Sequence, residues 1–233
     1  MRMKYIAIIL ISLYRRTMDT TERKRQERER RADYILDKAE PVVFERGFEA
    51  TMMDDIAREA GYTKRSVYLY FRDRDEVFYA LVLRGQRLLL AALRDATSGS
   101  GEGTSVVRRF GDAFYRFSLA HPGYFELIMT YEAKRHSYAR GRIDEETPAA
   151  ACQNISVEYG ALLSTALEDG IDSGRLRSGM DARQTMLLLW GQMFGVMQIL
   201  LMRRAGFADI YGIEPEAFFE RFVAQLERGL SIS

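Results

Sequence analysis

Apolar positions recur every three or four residues along most of this chain, and no run alternates with a period of two, so the pattern predicts an all-α protein without internal repeats. Ala32, Ile35, Leu36, Ala39 and Val43 form the inward stripe of a first helix over Arg23–Arg46. Pro41 removes one backbone donor within it and predicts a kink, at a cost of up to about 3 kcal/mol. Thr51 caps a second helix in this reading, with Asp54 as its capping-box partner and Met53, Ile56, Ala57 and Ala60 on one face. Gly61 ends it, and Thr63 caps a third helix with Val67, Tyr68 and Phe71 at inward spacing.

Farther along, Asp73 with Glu76 caps a long helix whose apolar run from Val77 to Ala96 is broken only at Arg84, Gln86 and Arg87. Thr97–Thr104 is a Gly/Ser-rich linker. Ser105–Leu119 and Tyr124–Tyr138 follow as helices around the restart at His121 and Pro122, then a polar loop over Ala139–Pro148. Ala149–Gly170 is the next helix. Another runs from the Asp181 cap to near Arg204, where Gly206 breaks it, and the last starts at Pro215 and ends at Gly229.

Residues 51–74 carry the chemistry. Two short helices, a tight turn holding glycine and a polar, basic first turn on the second helix describe a helix-turn-helix, a unit that places its second helix in the DNA major groove. The stretch ERGFEATMMDDIAREAGYTKRSVYLYFRDRDEVFYAL resembles the amino-terminal domain of the TetR family of bacterial transcriptional regulators. The positions in register are Gly47, Thr51, Ile56-Ala57, Ala60-Gly61, Thr63, Tyr68 and Tyr70-Phe71, followed by basic Arg74. The match spans about the first third of the chain. It departs from the family at Pro41, at Arg65, where many relatives have a small residue, and at Arg74, where lysine is usual.

The resemblance implies an amino-terminal three-helix DNA-binding domain, joined by a long helix to a carboxy-terminal helical domain for ligand binding and dimerisation. The boundaries expected are an extension over 1–21, the helix-turn-helix domain over 22–74 and the helical domain over 75–233. Thr51 and Thr63, at helix starts, face phosphate in this reading, and Tyr68 and Tyr70 lie near the DNA backbone. Arg74 takes a phosphate. Lys64, Arg65 and Ser66 are the candidates for base contacts, since a basic side chain there reads guanine O6 and N7. Tyr68 serves equally well as a core residue.

Net charge is only +1, so the total does not mark a nucleic-acid binder, but its distribution does. Arg23–Arg31 holds six bases against two acids, and Arg58–Arg74 five against two. Beside a helix-turn-helix, such runs read as phosphate contacts rather than solvated helix faces. The single cysteine, Cys152, excludes an internal disulfide and fits a reducing cytoplasm and a small buried residue. Tyr5–Tyr14 mimics a signal peptide behind Arg2 and Lys4, but it is too short to span a bilayer and lacks a cleavage site. It reads as an upstream extension, with Met18 as an alternative first residue; a membrane-surface anchor is the competing reading.

The helical domain is expected to hold a ligand among Phe114, Phe117, Phe125, Met129, Trp190, Met193, Phe194 and Met197, although each also fits an ordinary core. Aromatic and thioether walls suit an apolar or aromatic small molecule. By family habit the last two long helices form the dimer surface. Gly191 and Gly195 allow close approach there, and Phe218, Phe222 and Leu226 offer a stripe that spacing assigns equally to core. Glu132 and His136 share a helix face, but two ligands make a poor metal site, so no metal, catalytic set or cofactor is assigned. The function expected is a cytoplasmic homodimeric repressor on palindromic double-stranded operator DNA, released by a small-molecule effector that changes the spacing of its two DNA-binding heads, without stable membrane association. The alternatives are a ligand-independent DNA-binding or scaffold protein and a helical-bundle enzyme.

Overall fold

The computed structural model of the chain describes residues 2–98, 105–138, 147–203 and 205–231, with side chains from Thr21 onward and outside 134–138. Every regular element among the described residues is helical. The expected linker over 97–104 and the loop over 139–148 lie mostly outside them, as does the side chain of His136. Two compact units divide the chain, Met1–Phe78 and Tyr79–Ser233.

The first unit holds α1 (Arg2–Arg46), α2 (Met53–Ala60), α3 (Lys64–Val67) and the start of α4 (Arg74–Ser98). The helical backbone of α1 begins well ahead of the expected start at Arg23 and takes in residues 2–21. No glycine or proline interrupts the chain before Pro41, and the helix continues through Pro41 as well. Ile35, Leu36, Ala39 and Val43 of α1 meet Ile56, Ala57 and Ala60 of α2 in a closed core with Val67, Phe71 and Phe78. The Phe48 and Phe78 rings lie 4.6 Å apart across it.

The second unit contains the rest of α4, then α5 (Val106–Ala120), α6 (Pro122–Tyr138), α7 (Pro148–Asp172), α8 (Ala182–Met202), α9 (Phe207–Tyr211) and α10 (Pro215–Leu230). Side-chain oxygens cap three of these helices: Ser105, Thr147 and Asp181 each accept from a backbone N–H three residues on. α7 packs on α8, and α5 on both α6 and α10. Fully buried Phe114, Phe125, Ile128, Leu167 and Phe219 anchor the core, each worth about 1.5–3 kcal/mol on burial. Gly85 sits where α4 meets α6; a Cβ there would stand 2.9 Å from the Tyr124 side chain.

Candidate functional site

The turn between α2 and α3 is set by short-range backbone chemistry. Gly61 adopts φ +69, its N–H bonds the Arg58 carbonyl, and the Tyr62 N–H bonds the Ala57 carbonyl. That pair of bonds is a Schellman closure, which needs a left-handed residue at this place. Thr63 then caps α3: its Oγ1 accepts from the Ser66 N–H at 3.1 Å, and the two hydroxyls lie 2.8 Å apart. The α-helical part of α3 is a single turn. Beyond Val67 it tightens, with Leu69 and Tyr70 N–H groups bonding three residues back.

Lys64 and Arg65 stand exposed on that first turn, with Ser66 half-buried beside them. The Lys64 ammonium lies 3.0 Å from the Asp54 carboxylate of α2, and this bond holds its pKa above the ordinary lysine value. Arg65 makes no ion pair among the described residues. Tyr68 is 44% exposed and Leu69 62%, so Tyr68 faces outward rather than into the core. Tyr70 is half-buried under α1: the Arg28 guanidinium lies 5.5 Å from its ring centroid and donates to the Leu69 carbonyl. Arg31 is stabilised in its charged form first by Glu27 and then by the Tyr70 hydroxyl. Many bases of the Arg23–Arg31 run pair along their own helix, Arg25 with Glu22 and Glu29, Arg30 and Arg31 with Glu27.

Thr51 corrects the sequence expectation. It is fully buried, and its hydroxyl donates to the Gly47 carbonyl at 2.9 Å, so it neither caps α2 nor faces phosphate. Met52 takes the cap position, and its N–H is bonded by the Asp55 carboxylate, not by Asp54. That backbone bond is the first cause of the lowered Asp55 pKa. Arg74 is likewise engaged inward. Its Nη1 donates to the Glu49 carbonyl at 3.1 Å and the Thr51 carbonyl at 3.4 Å, and its guanidinium lies 4.6 Å from the Phe48 ring centroid. It clamps the α1–α2 turn from the start of α4.

The second unit contains a cavity of about 540 Å³ walled by α5, α6, α7 and α8, a volume suited to a small organic molecule. Its apolar wall includes Phe110, Val157, Met186 and Trp190; its polar wall includes Glu132, Ser156 and Tyr159. Leu187 lines it and is exposed, so the cavity opens to the surface. Of the eight residues expected to hold a ligand, only Trp190 lines it. Trp190 and Met193 also border a void of about 20 Å³, room for one water. Phe114, Phe117, Phe125, Met129 and Met197 are closed core, because edge-on packing of Phe114 against Phe125 and Trp190 fills the space between them. Phe194 is half-buried and lines neither cavity.

Spacing did not reveal the hydrogen-bonded chain that ties the polar wall of α6 and α7 to α4. Gln86 of α4 donates to Ser156 of α7 at 3.2 Å, Ser156 donates to Glu132 of α6 at 3.0 Å, and the Tyr159 hydroxyl donates to the Gln86 backbone carbonyl at 2.7 Å. Gln86 was the legible signal, an uncharged polar residue between Arg84 and Arg87 on a long apolar run. Burial pushes the Tyr159 hydroxyl pKa up, and Glu132 adds to the effect. Burial also pushes the Cys152 thiol up to about 12, and its Sγ donates to the Tyr79 carbonyl, so it is an inert core thiol.

On α8, Gly191 and Gly195 are exposed, with nothing within 4 Å of where a Cβ would stand. Phe218 and Phe222 of α10 are half-buried. Leu226 corrects the expected stripe: with Phe219 and Val223 it faces the protomer's own core, where it borders the smaller void.

Comparison with known proteins agrees with this architecture. Residues 35–81 match the family model described as bacterial regulatory proteins, tetR family, and residues 107–226 match the tetracyclin repressor-like carboxy-terminal domain. A protein of unknown function from Rhodococcus sp. RHA1 superposes with a TM-score of 0.69 at 22% identity, over 87% of this chain and 96% of that one. SmeT, the repressor of the Stenotrophomonas maltophilia multidrug efflux pump SmeDEF, superposes with a TM-score of 0.59 at 20% identity, over 87% and 91%. AibR, solved with isovaleryl coenzyme A and operator DNA, gives 0.61 at 17%, over 84% and 97%. The two family models together cover the DNA-reading head and more than half of the chain beyond it, and this chain belongs to the TetR family of bacterial regulatory proteins.

Proposed function

We propose that the chain is a cytoplasmic, homodimeric transcriptional repressor that binds a palindromic operator and leaves it when a small molecule occupies the cavity beside Trp190. The observation that carries this reading is the α2–α3 turn, in register with the family match and presenting Lys64, Arg65 and Tyr68 outward from one short helix. Lys64, Arg65 and Ser66 read base edges, while Thr63, Tyr68 and Tyr70 approach the backbone. Residues 22–74 act as the DNA-binding domain and 75–233 as the effector and dimerisation domain. The role needs no catalytic group.

A two-fold operator calls for a two-fold protein. The outward stripe of α8 supplies the pairing surface, with Phe218 and Phe222 of α10 as its continuation. Effector release follows if the occupied cavity belongs to a state with lower operator affinity, since a ligand shifts populations only by its differential affinity. SmeT and AibR, as relatives, support a repressor and a ligand-bound, operator-bound regulator respectively.

The test is selection of duplexes from random DNA by the purified protein, repeated with Lys64, Arg65 and Ser66 each changed to alanine. An enriched palindrome whose preferences relax at matching positions is the expected result. Uniform, salt-sensitive binding with no enrichment would overturn it.

A further inference from the structure

The α3 helix is too short to hold its own shape. One α-helical turn is far below the roughly 12–15 residues at which a lone helix becomes marginally stable, so its geometry comes from what bonds and packs against it. Its start is held by the Thr63 cap and by the Lys64–Asp54 bond to α2. Its middle is held by buried Val67. At the far end, Tyr68 and Leu69 are both exposed and anchor little by burial.

That far end is held from α1. The turn and cap bonds of α3 leave the Leu69 carbonyl unused, and the Arg28 guanidinium donates to it at 2.7 Å. The same guanidinium lies 5.5 Å from the Tyr70 ring centroid, close enough for attraction to the ring face. Arg31, about one turn farther along α1, stands at the Tyr70 hydroxyl. Arg25, Arg30 and Arg31 pair with glutamates of α1, whereas Arg28 makes no ion pair among the described residues. Its planar fork is directed to α3 instead, against a ring and onto a carbonyl at once, a geometry that an ammonium cannot reproduce.

We propose that Arg28 is a positioning residue for operator recognition. From α1 it fixes the carboxy-terminal end of α3, and with it the angle at which Lys64, Arg65 and Ser66 meet base edges, without touching DNA itself. The assignment rests on α3 being the DNA-reading helix, and it makes one base of the Arg23–Arg31 run a clamp rather than a phosphate contact. Base-edge contacts are directional and carry the sequence preference, so a loosened α3 loses selectivity before it loses its general attraction to DNA.

Selection from random duplex DNA is run with the wild-type protein, Arg28→Met and Arg28→Lys. Affinity for the enriched palindrome and for random duplex is then measured by fluorescence anisotropy across a salt series. Arg28→Met is expected to bind the palindrome about tenfold more weakly and random duplex equally well, with the salt slope unchanged. Its base preferences relax at the positions that Lys64→Ala, Arg65→Ala and Ser66→Ala also relax. Arg28→Lys keeps the charge and loses the fork, so it behaves as Arg28→Met does. A slope lower by about 1 in Arg28→Met, with both affinities falling together and lysine restoring them, would make Arg28 a phosphate contact and overturn the proposal. Unchanged base preferences would overturn it as well, since a merely structural loss lowers the folded fraction and weakens binding to all duplexes alike. Urea unfolding of both variants supplies that fraction, and Arg28→Lys carries the test where Arg28→Met fails to fold. Wild-type protein that enriches no palindrome would overturn the reading of α3 and the clamp with it.

Discussion

The Lys64 ammonium lies 3.0 Å from the Asp54 carboxylate, so the first basic side chain of α3 is tethered to α2 across the turn that precedes it. Both groups are about half exposed, on the surface that α3 presents outward. The carboxylate aligns Lys64 and also places a negative charge where DNA phosphates would approach. Asp54→Asn is therefore expected to tighten binding to nonspecific duplex, and the gain shrinks as salt rises. Lys64→Ala lowers the slope of log affinity against log salt by about 1 if Lys64 meets phosphate. If it meets a base edge, the loss is about 5- to 150-fold and confined to one operator position. Fluorescence anisotropy across a salt series separates the two.

Thr51 makes the opposite prediction. Its buried hydroxyl serves the Gly47 carbonyl, so Thr51→Val is expected to lower unfolding stability by about 1 kcal/mol. The salt slope of DNA binding stays unchanged, because no phosphate contact is lost. Urea unfolding gives the first quantity and the anisotropy series the second. A drop in salt slope without a drop in stability would return Thr51 to the interface. Arg74→Lys adds a second check: a lysine cannot reach two carbonyls while lying flat on Phe48, so it too is expected to cost stability.

Thr51 and Thr63 show where sequence reading succeeds and fails. Thr63 caps α3 through a bond to a residue three positions away, and Gly61 turns the chain by its own φ; both are local and legible. The role of Thr51 depends on how closely the α1–α2 turn folds over it, which no spacing records. The same limit applies in the second unit. Helical spacing places Phe114, Phe125 and Met197 inward but cannot say whether space remains beside them. Gln86, Ser156 and Glu132 are 70 and 24 residues apart in pairs, and only the packing of α4, α6 and α7 unites them. The sequence shows the break at Gly206 but not the short α9 behind it, which Gly206 and Gly212 bracket with positive φ.

Glu227 gives a pH prediction. Burial raises its pKa, but hydrogen bonds from Arg108 and then Ser105 outweigh burial and leave it below the ordinary value of 4.5. Arg108 Nη2 lies 2.7 Å from this carboxylate and its Nη1 2.8 Å from Glu220, tying α5 to α10. A depressed carboxyl stabilises the fold at pH above its unfolded value, and the contribution is lost as pH falls through the folded value. Asp112 acts oppositely: burial and then Glu220 raise its pKa, so its stabilisation is present at low pH and fades as pH rises through its folded value. The comparison is therefore Glu227→Gln against wild type. The variant is expected to be less stable at pH 7 and to lose less on acidification below about pH 4.5. Parallel stability curves for the two proteins would show that the Arg108 bonds contribute nothing through this proton.

On α8, Leu188, Gly191, Gly195, Ile199 and Met202 form one exposed stripe along the helix, three or four residues apart. Two glycines inside a helix cost about 1 kcal/mol each relative to alanine. Beyond the backbone of α8 itself, nothing among the described residues uses the space they leave, since none of them comes within 4 Å of either missing Cβ. The helix is also long and apolar enough to cross a membrane by length and composition, but Gln192 lies exposed on it beside Gly191. A second helix packed against the stripe accounts for both glycines and the exposed leucine. The wild-type protein is then expected to sediment at twice the 26.8 kDa of one chain, and Gly195→Glu at the mass of one. Operator affinity of that variant falls about a hundredfold or more, because two half-sites are no longer bound as one unit. Gly195→Ala separates close approach from helix propensity. A single methyl improves the helix, so a weaker dimer with it means that another backbone comes within reach of that carbon. A dimer of unchanged or greater strength means that the partner, if it binds on α8, binds elsewhere along the stripe.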